Sequence, residues 1–239
     1  MRVTNNIYVL SGSYFSAVGN DATLGDVYGI HTSQGIILID CGVPVSGPAM
    51  LRETLAYYEI DAPITHLIIT HAHFDHCGGA KELQDAGAKV IVGREDAVYC
   101  TNGGVGGMYT PFDDAHLFPA FTPDSIIDED QSLMLGGLSF DFIKIPGHTP
   151  GSMAIRVKID GKTALFTGDS LQPDGTRLDQ VSFGWQGDVS FSREKIVTSM
   201  MKLVSCETDM VLPGHGKICL RNGTGLLRHA ARNAFLTLR

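Results

Sequence analysis

Four times along this 239-residue chain an apolar run stops at a turn residue and a histidine or aspartate follows at once. The runs end at Thr70 before His71, at Pro146-Gly147 before His148, at Thr167-Gly168 before Asp169, and at Pro213-Gly214 before His215. Short apolar runs bounded by turn residues read as buried strands, so imidazoles and carboxylates are delivered at strand ends from one half of the chain to the other. Halves that folded apart could not bring these groups together. The pattern therefore predicts one domain over residues 1–239 closed around one site, although length alone would admit two small domains.

The first of these ends is the densest, reading His71-Ala72-His73-Phe74-Asp75-His76. If the chain continues extended past the strand, alternate side chains share a face. His71, His73 and Asp75 then project together, Ala72 and Phe74 turn back towards the core, and His76 is rotated away. That offset lets His71 and His73 hold one ion while Asp75 and His76 hold a second, at the roughly 3.5–4 Å spacing of paired-ion sites. Each ion needs ligands from elsewhere: His148 and His215 are available for one each, and Asp169 has two oxygens with which to bridge. Nitrogen and oxygen donors suit two divalent ions, zinc first, with iron or manganese also compatible. Burying three imidazoles and an acid within six residues would be costly without a cation to use their lone pairs and charge. The isolated His31, His66, His116 and His229 read first as ordinary hydrogen-bonding or surface residues.

Between these points the periodicity alternates. Strands are expected at 36–39, 66–70 and 89–92, with a helix over 46–58, Ser46 as its N-cap, and another over 76–86 stopped by Gly87. Strand-like runs follow at 138–145, 152–159 and 163–167, the last two joined by Asp160-Gly161, a strong hairpin signal. A helix over 192–204, a strand over 210–212 and a C-terminal helix, about 224–239 at its widest, complete the second half. This order predicts an α/β fold: a four-layer αββα sandwich, two sheets face to face with helices on both outer sides. Residues 97–125, rich in Gly and Pro, interrupt the pattern and read as a packed lid.

Charge narrows the partners. The net charge is −8, and no Lys or Arg occurs between Arg94 and Lys144, where acids accumulate; after Asp209 the chain carries only bases. An acidic lid repels polyanions, which disfavours nucleic acid and favours a neutral or cationic, partly apolar small molecule. Tyr109, Phe112 and His116 in the lid, with Phe183 and Trp185 after the Asp169 loop, are candidate pocket walls, and His116 and Tyr109 are candidate proton donors. Lid and basic tail are expected to pair, within one chain or across a homodimer. Five widely spaced cysteines without a CxxC pair, no leader-like segment and no run of 18 apolar residues point to a reducing cytoplasm and no membrane.

With Asp40 after the 36–39 run, then HxHxDH, His148, Asp169 and His215 in that order, the chain resembles the metallo-β-lactamase superfamily along nearly its whole length. The resemblance implies the αββα fold, a first metal held by His71, His73 and His148, a second by Asp75, His76 and His215, Asp169 bridging, and Asp40 bracing the ligand loop. True β-lactamases of this fold carry no bridging Asp, so Asp169 looks like the glyoxalase II, lactonase and phosphodiesterase branches. Only 24 residues follow His215, which sets the chain apart from glyoxalase II enzymes with their helical C-terminal region. The implied activity is hydrolysis of a small-molecule ester, lactone or thioester by a metal-bridging hydroxide, with Asp75 moving the proton. The alternatives are a phosphodiesterase, an oxidoreductase resembling persulfide dioxygenases with one iron on His71, His148 and Asp169, and a catalytically idle metal-stabilised module.

Overall fold

The computed structural model describes residues 1–12, 24–105, 116–173, 180–187 and 190–238. Six strands form the first sheet in chain order: β1 (Ile7–Ser11), β2 (Val27–Thr32), β3 (Gly35–Ile39), β4 (Ile64–Ile68), β5 (Lys89–Gly93) and β6 (Ser125–Ile127). The second contains β7 (Gln131–Leu135), β8 (Leu138–Lys144), β9 (Met153–Ile159) and β10 (Lys162–Gly168), with β13 (Met210–Pro213) outside β10. A small ribbon of β11 (Gln172–Pro173) and β12 (Val181–Ser182) precedes β13. The helices are α1 (Ser46–Tyr57), α2 (Phe74–Cys77), α3 (Ala80–Asp85), α4 (Ala97–Thr101), α5 (Arg193–Leu203) and α6 (Gly223–Thr237).

The layers follow from strand alternation. In β3, Ile37 and Ile39 face the opposing sheet, where Phe142, Ile155 and Phe166 meet them, while Ile36 and Leu38 face Leu51 and Leu55 of α1. In β13, Met210 and Leu212 point into the space between the sheets and Val211 points out towards Ile196 of α5 and Ala230 of α6. Strands buried on both faces explain why these runs are continuously apolar. Three separate apolar clusters, one between the sheets and one under each helical layer, make the predicted four-layer αββα sandwich.

Topology then gathers the strand ends. β3, β4 and β5 run parallel, so Asp40, His71 and Asp96 emerge at one edge. β8 and β10 are both antiparallel to β9, and β13 is parallel to β10, so His148, Asp169 and His215 share an edge of the second sheet. Ligand sites at the carboxyl ends of such strands are the general rule for α/β sheets.

Several expectations need correction. Ser46 does not cap α1; it is the helix's first residue, behind Val45 at φ 66°, and no side chain caps that end. The helix expected over 76–86 is two short ones, α2 and α3, because Gly78 and Gly79 press against the loop before α1: a Cβ on Gly78 would come within 2.4 Å of Pro44 Cδ. Strands β1 and β2, an antiparallel pair with Ile7 opposite Ile30 and Val9 opposite Tyr28, were not among the expected strands. The Asp160-Gly161 turn is as expected, with φ 52° and 73°, the two left-handed residues of a type I′ turn. Within 97–125, Cys100, Phe118 and Phe121 are buried under the first sheet's helical layer, so this part of the expected lid is core. Among the described residues, three acids in and beside it pair with cations outside the basic tail: Asp124 with Lys89, Asp128 with Arg94, and Glu95 with Lys144. Tyr109 and Phe112 lie outside the described residues. Among the described residues no helix is long and apolar enough to cross a membrane, and all five cysteines are unbridged.

Candidate metal centre

The chain stays extended only as far as His73 (ψ 149°), then closes one helical turn, because the His73 carbonyl accepts from His76 N at 3.0 Å and Cys77 N at 2.9 Å. Asp75 and His76 are therefore presented by α2 and not by an extended loop as the alternation argument assumed. The outcome is the same separation into two halves. His71, His73 and His148 bring one nitrogen each to a common point, and a carboxylate oxygen of Asp75 meets one nitrogen each of His76 and His215 beside it, with the donor atoms of each trio within 4.8 Å of one another. His73 Nδ1 lies 3.2 Å from His148 Nε2, and His76 Nε2 lies 3.3 Å from His215 Nε2. Asp169 sits between the trios: Oδ1 is 3.4 Å from His76 Nε2, and Oδ2 is 3.6 Å from His215 Nε2 and 3.7 Å from His148 Nε2.

Protons and lone pairs can be assigned from the surroundings. His71 Nδ1 is 3.0 Å from Thr70 Oγ1, leaving Nε2 buried with no hydrogen-bond partner. Burial holds the His71 and His73 imidazoles well below the usual histidine range and brings His148 down to about 4, so all three are neutral at pH 7 with lone pairs to offer. Burial works in the same direction on His76 and His215, but Asp75 and Asp169 beside both, and Asp40 beside His76, hold these two up. Burial opposes ionisation of Asp169, yet His215 and His76 keep it well below the carboxylate range. One trio is thus electron-rich and neutral, while the other gathers positive charge around two carboxylates. An orphaned buried imidazole nitrogen beside converging nitrogen and oxygen donors fits divalent metal ions.

Asp40 stands behind the second trio. It is buried, adopts φ 61°, and accepts Thr70 N and Thr70 Oγ1 at 2.7 Å each and His76 Nδ1 at 2.8 Å. Burial raises its carboxyl, His76 and Thr70 pull it back down, and the shared proton rests on His76. That fixes the His76 tautomer with Nε2 turned to the trio. Asp40 also lies near His71 and His76 as a third possible grouping, but its oxygens are already committed to these three donors.

A residue that the sequence reading left among the acids between Arg94 and Lys144 does the equivalent work for the first trio. Asp96, fully buried, accepts Ala72 N at 2.9 Å, Thr149 Oγ1 at 2.7 Å and Gly151 N at 2.7 Å. It thereby ties the His71-Ala72-His73 segment to the loop carrying His148. Its signal was available: it follows strand β5 as His71 follows β4. Burial, against the pull of these donors, raises its pKa to about 6. A carboxyl that binds its proton more tightly when folded loses stability as pH rises from about 4 to 6. Asp96→Asn is expected to flatten stability over that window. It also turns an amide N–H towards a former donor, so zinc affinity at the first trio should fall about 10–100-fold; unchanged affinity in a zinc titration would contradict the positioning role.

The remaining candidate residues are spread. The His116 ring meets Phe74, its centroid 4.6 Å away, which sets it beside the ligand-bearing turn. Trp185 is 45% exposed. Phe183 is buried in the cluster between the second sheet and α5 and α6, where its apolar ring is shielded from solvent.

The family signature described as Metallo-beta-lactamase superfamily matches residues 21–215. The chain belongs to the metallo-beta-lactamase superfamily. Among the relatives of the chain, YobT of Bacillus subtilis is 26% identical over 98% of this chain and 99% of its own length. The hydroxyacylglutathione hydrolase GloC of Haemophilus influenzae is 29% identical over 66% of this chain and 71% of its own. Among solved structures, a variant of the metallo-beta-lactamase from Cronobacter sakazakii superposes with a TM-score of 0.76 at 25% identity, covering 99% of this chain and 94% of that one.

Proposed function

We propose that this superfamily member is a dinuclear metal-dependent hydrolase of a small-molecule ester, lactone or thioester. The observation that carries the reading is the pairing of two complete ligand trios across one carboxylate, Asp169. His71, His73 and His148 would hold the first ion, Asp75, His76 and His215 the second, and Asp169 would reach both. When bound, such a pair lowers the pKa of a shared water to near neutrality and polarises the carbonyl that it attacks. The chain's own groups do the rest. Asp75, 2.9 Å from His215 Nε2, is the carboxylate placed to take or return a proton; Asp40 and Asp96 hold the ligand loops in register. His116, beside Phe74, is the candidate donor to the leaving group, and exposed Trp185 offers an apolar wall.

Zinc is the first choice of metal for this donor set. Asp169 is what argues against lactam hydrolysis as the main activity, and the acidic segment favours neutral or cationic substrates over polyanions. Because a hydroxyacylglutathione hydrolase stands among the relatives, glutathione thioesters belong among the substrates to try. The test is a panel of lactones, thioesters, aryl esters and bis-aryl phosphates given to zinc-loaded and metal-stripped protein. Turnover of one carbonyl class, abolished by stripping and restored by zinc, is the expected result. Turnover confined to the phosphates would make the protein a phosphodiesterase, and turnover of none would end the hydrolase reading.

A further inference from the structure

We propose that Asp26 is a further residue of the metal centre: a walled-in counter-charge that strengthens the hold of Asp75, His76 and His215 on their divalent cation. The inference rests on the dinuclear reading above and adds to it a residue outside the ligand set. Asp26 is completely buried, yet neither carboxylate oxygen accepts a hydrogen bond among the described residues. Buried carboxylates are kept only where something compensates their lost hydration. Asp40 and Asp96, the other buried acids behind the ligands, accept three hydrogen bonds each. Asp26 lacks every one of these, so a structural tie does not explain it.

Its position supplies the explanation. The Asp26 backbone N–H donates to the carbonyl of Gly214, the residue before His215, at 2.6 Å. The preceding Gly25 lies so close to the other side of the second trio that a Cβ there would come 2.8 Å from both the Asp75 carbonyl oxygen and His76 Cε1. Asp26 is thus pinned between the two segments that deliver Asp75, His76 and His215. Across from it, Gly12 leaves the space that the carboxylate fills: a Cβ on Gly12 would fall 1.8 Å from Asp26 Oδ1. Burial, with a smaller push from Asp169, raises the Asp26 carboxyl to about 7 against the pull of His215 and His76. By position this carboxylate flanks the second trio, and a divalent cation there would be a stronger partner than the imidazoles alone.

The consequence is a trade between folding and metal affinity. In metal-stripped protein, Asp26 is a buried carboxyl with no hydrogen-bond donor, so Asp26→Asn should melt higher than the stripped wild type by about 2 °C or more. Zinc titration against a chelating indicator should show the opposite: two sites in the wild type, and in Asp26→Asn a loss of at least tenfold at one site with the other unchanged. In a His215→Ala background the same substitution should change zinc affinity no further. Should Asp26→Asn not fold, Asp26→Ser is read in the same way. Unchanged affinity at both sites, or a stripped variant that melts lower than the stripped wild type, overturns the role given to Asp26 while leaving the dinuclear reading intact. A wild type that binds fewer than two zinc ions overturns both.

Discussion

Asp169→Ala protein is expected to retain fewer divalent ions than the wild type and to lose turnover by more than about 100-fold, the upper range for removing a mere outer partner of a ligand. The reason is positional. Asp169 is the carboxylate within 3.4–3.7 Å of nitrogens from both trios, so its removal weakens both ends of the centre at once. His148→Ala and His215→Ala, by comparison, each touch one trio and should each deplete one ion. Elemental analysis of the three purified variants separates these patterns; equal metal content in Asp169→Ala and wild type would remove Asp169 from its bridging position. Circular dichroism at 25 °C should show the fold retained in all three, because the three apolar clusters lie below the ligand layer.

The largest stability effect is expected at Asp40. Asp40→Ala strips Thr70 of two acceptors and leaves the fully buried His76 without the partner of its Nδ1 proton. Breaking a buried, hydrogen-bonded charge pair from one side costs about 3–5 kcal/mol, which for a chain of this size lowers the melting temperature by roughly 6–20 °C. Asp40 also holds φ 61°, a conformation that Gly adopts freely and Ala does not. Asp40→Gly should therefore be less destabilised than Asp40→Ala by about 1 kcal/mol, a difference that urea denaturation of the metal-stripped proteins can read. Equal stability of the two variants would mean that the backbone strain is absorbed elsewhere.

Much of this architecture is legible before any coordinates because each strand announces its own end. Pro146-Gly147 and Pro213-Gly214 stop β8 and β13 and leave a histidine at the edge, and the continuous apolar runs of β3 and β13 signal burial on both faces. Where the reading failed, local signals competed with distant contacts. Asp75 and His76 are equally compatible with an extended loop and a helical turn by spacing; the turn wins through the hydrogen bonds to the His73 carbonyl. Phe183 has the same aromatic character in a pocket wall as in a core, and its burial against the surfaces of α5 and α6, far along the chain, was not legible. Asp96 and Asp26 were hidden differently. Asp96 stands in an acidic stretch and Asp26 alone before an apolar run; what surrounds each comes from far along the chain, Thr149 and Gly151 in one case and Gly12 and Gly214 in the other.

The measurement that bears most directly on the proposed dinuclear centre is the metal content of the purified wild-type protein, counted per chain after loading and desalting. Two divalent ions per chain, with a carbonyl substrate hydrolysed without oxygen uptake, is the predicted result. One iron per chain, with oxygen consumed on addition of a persulfide, would contradict it and assign His71, His148 and Asp169 to a mononuclear oxidative centre instead.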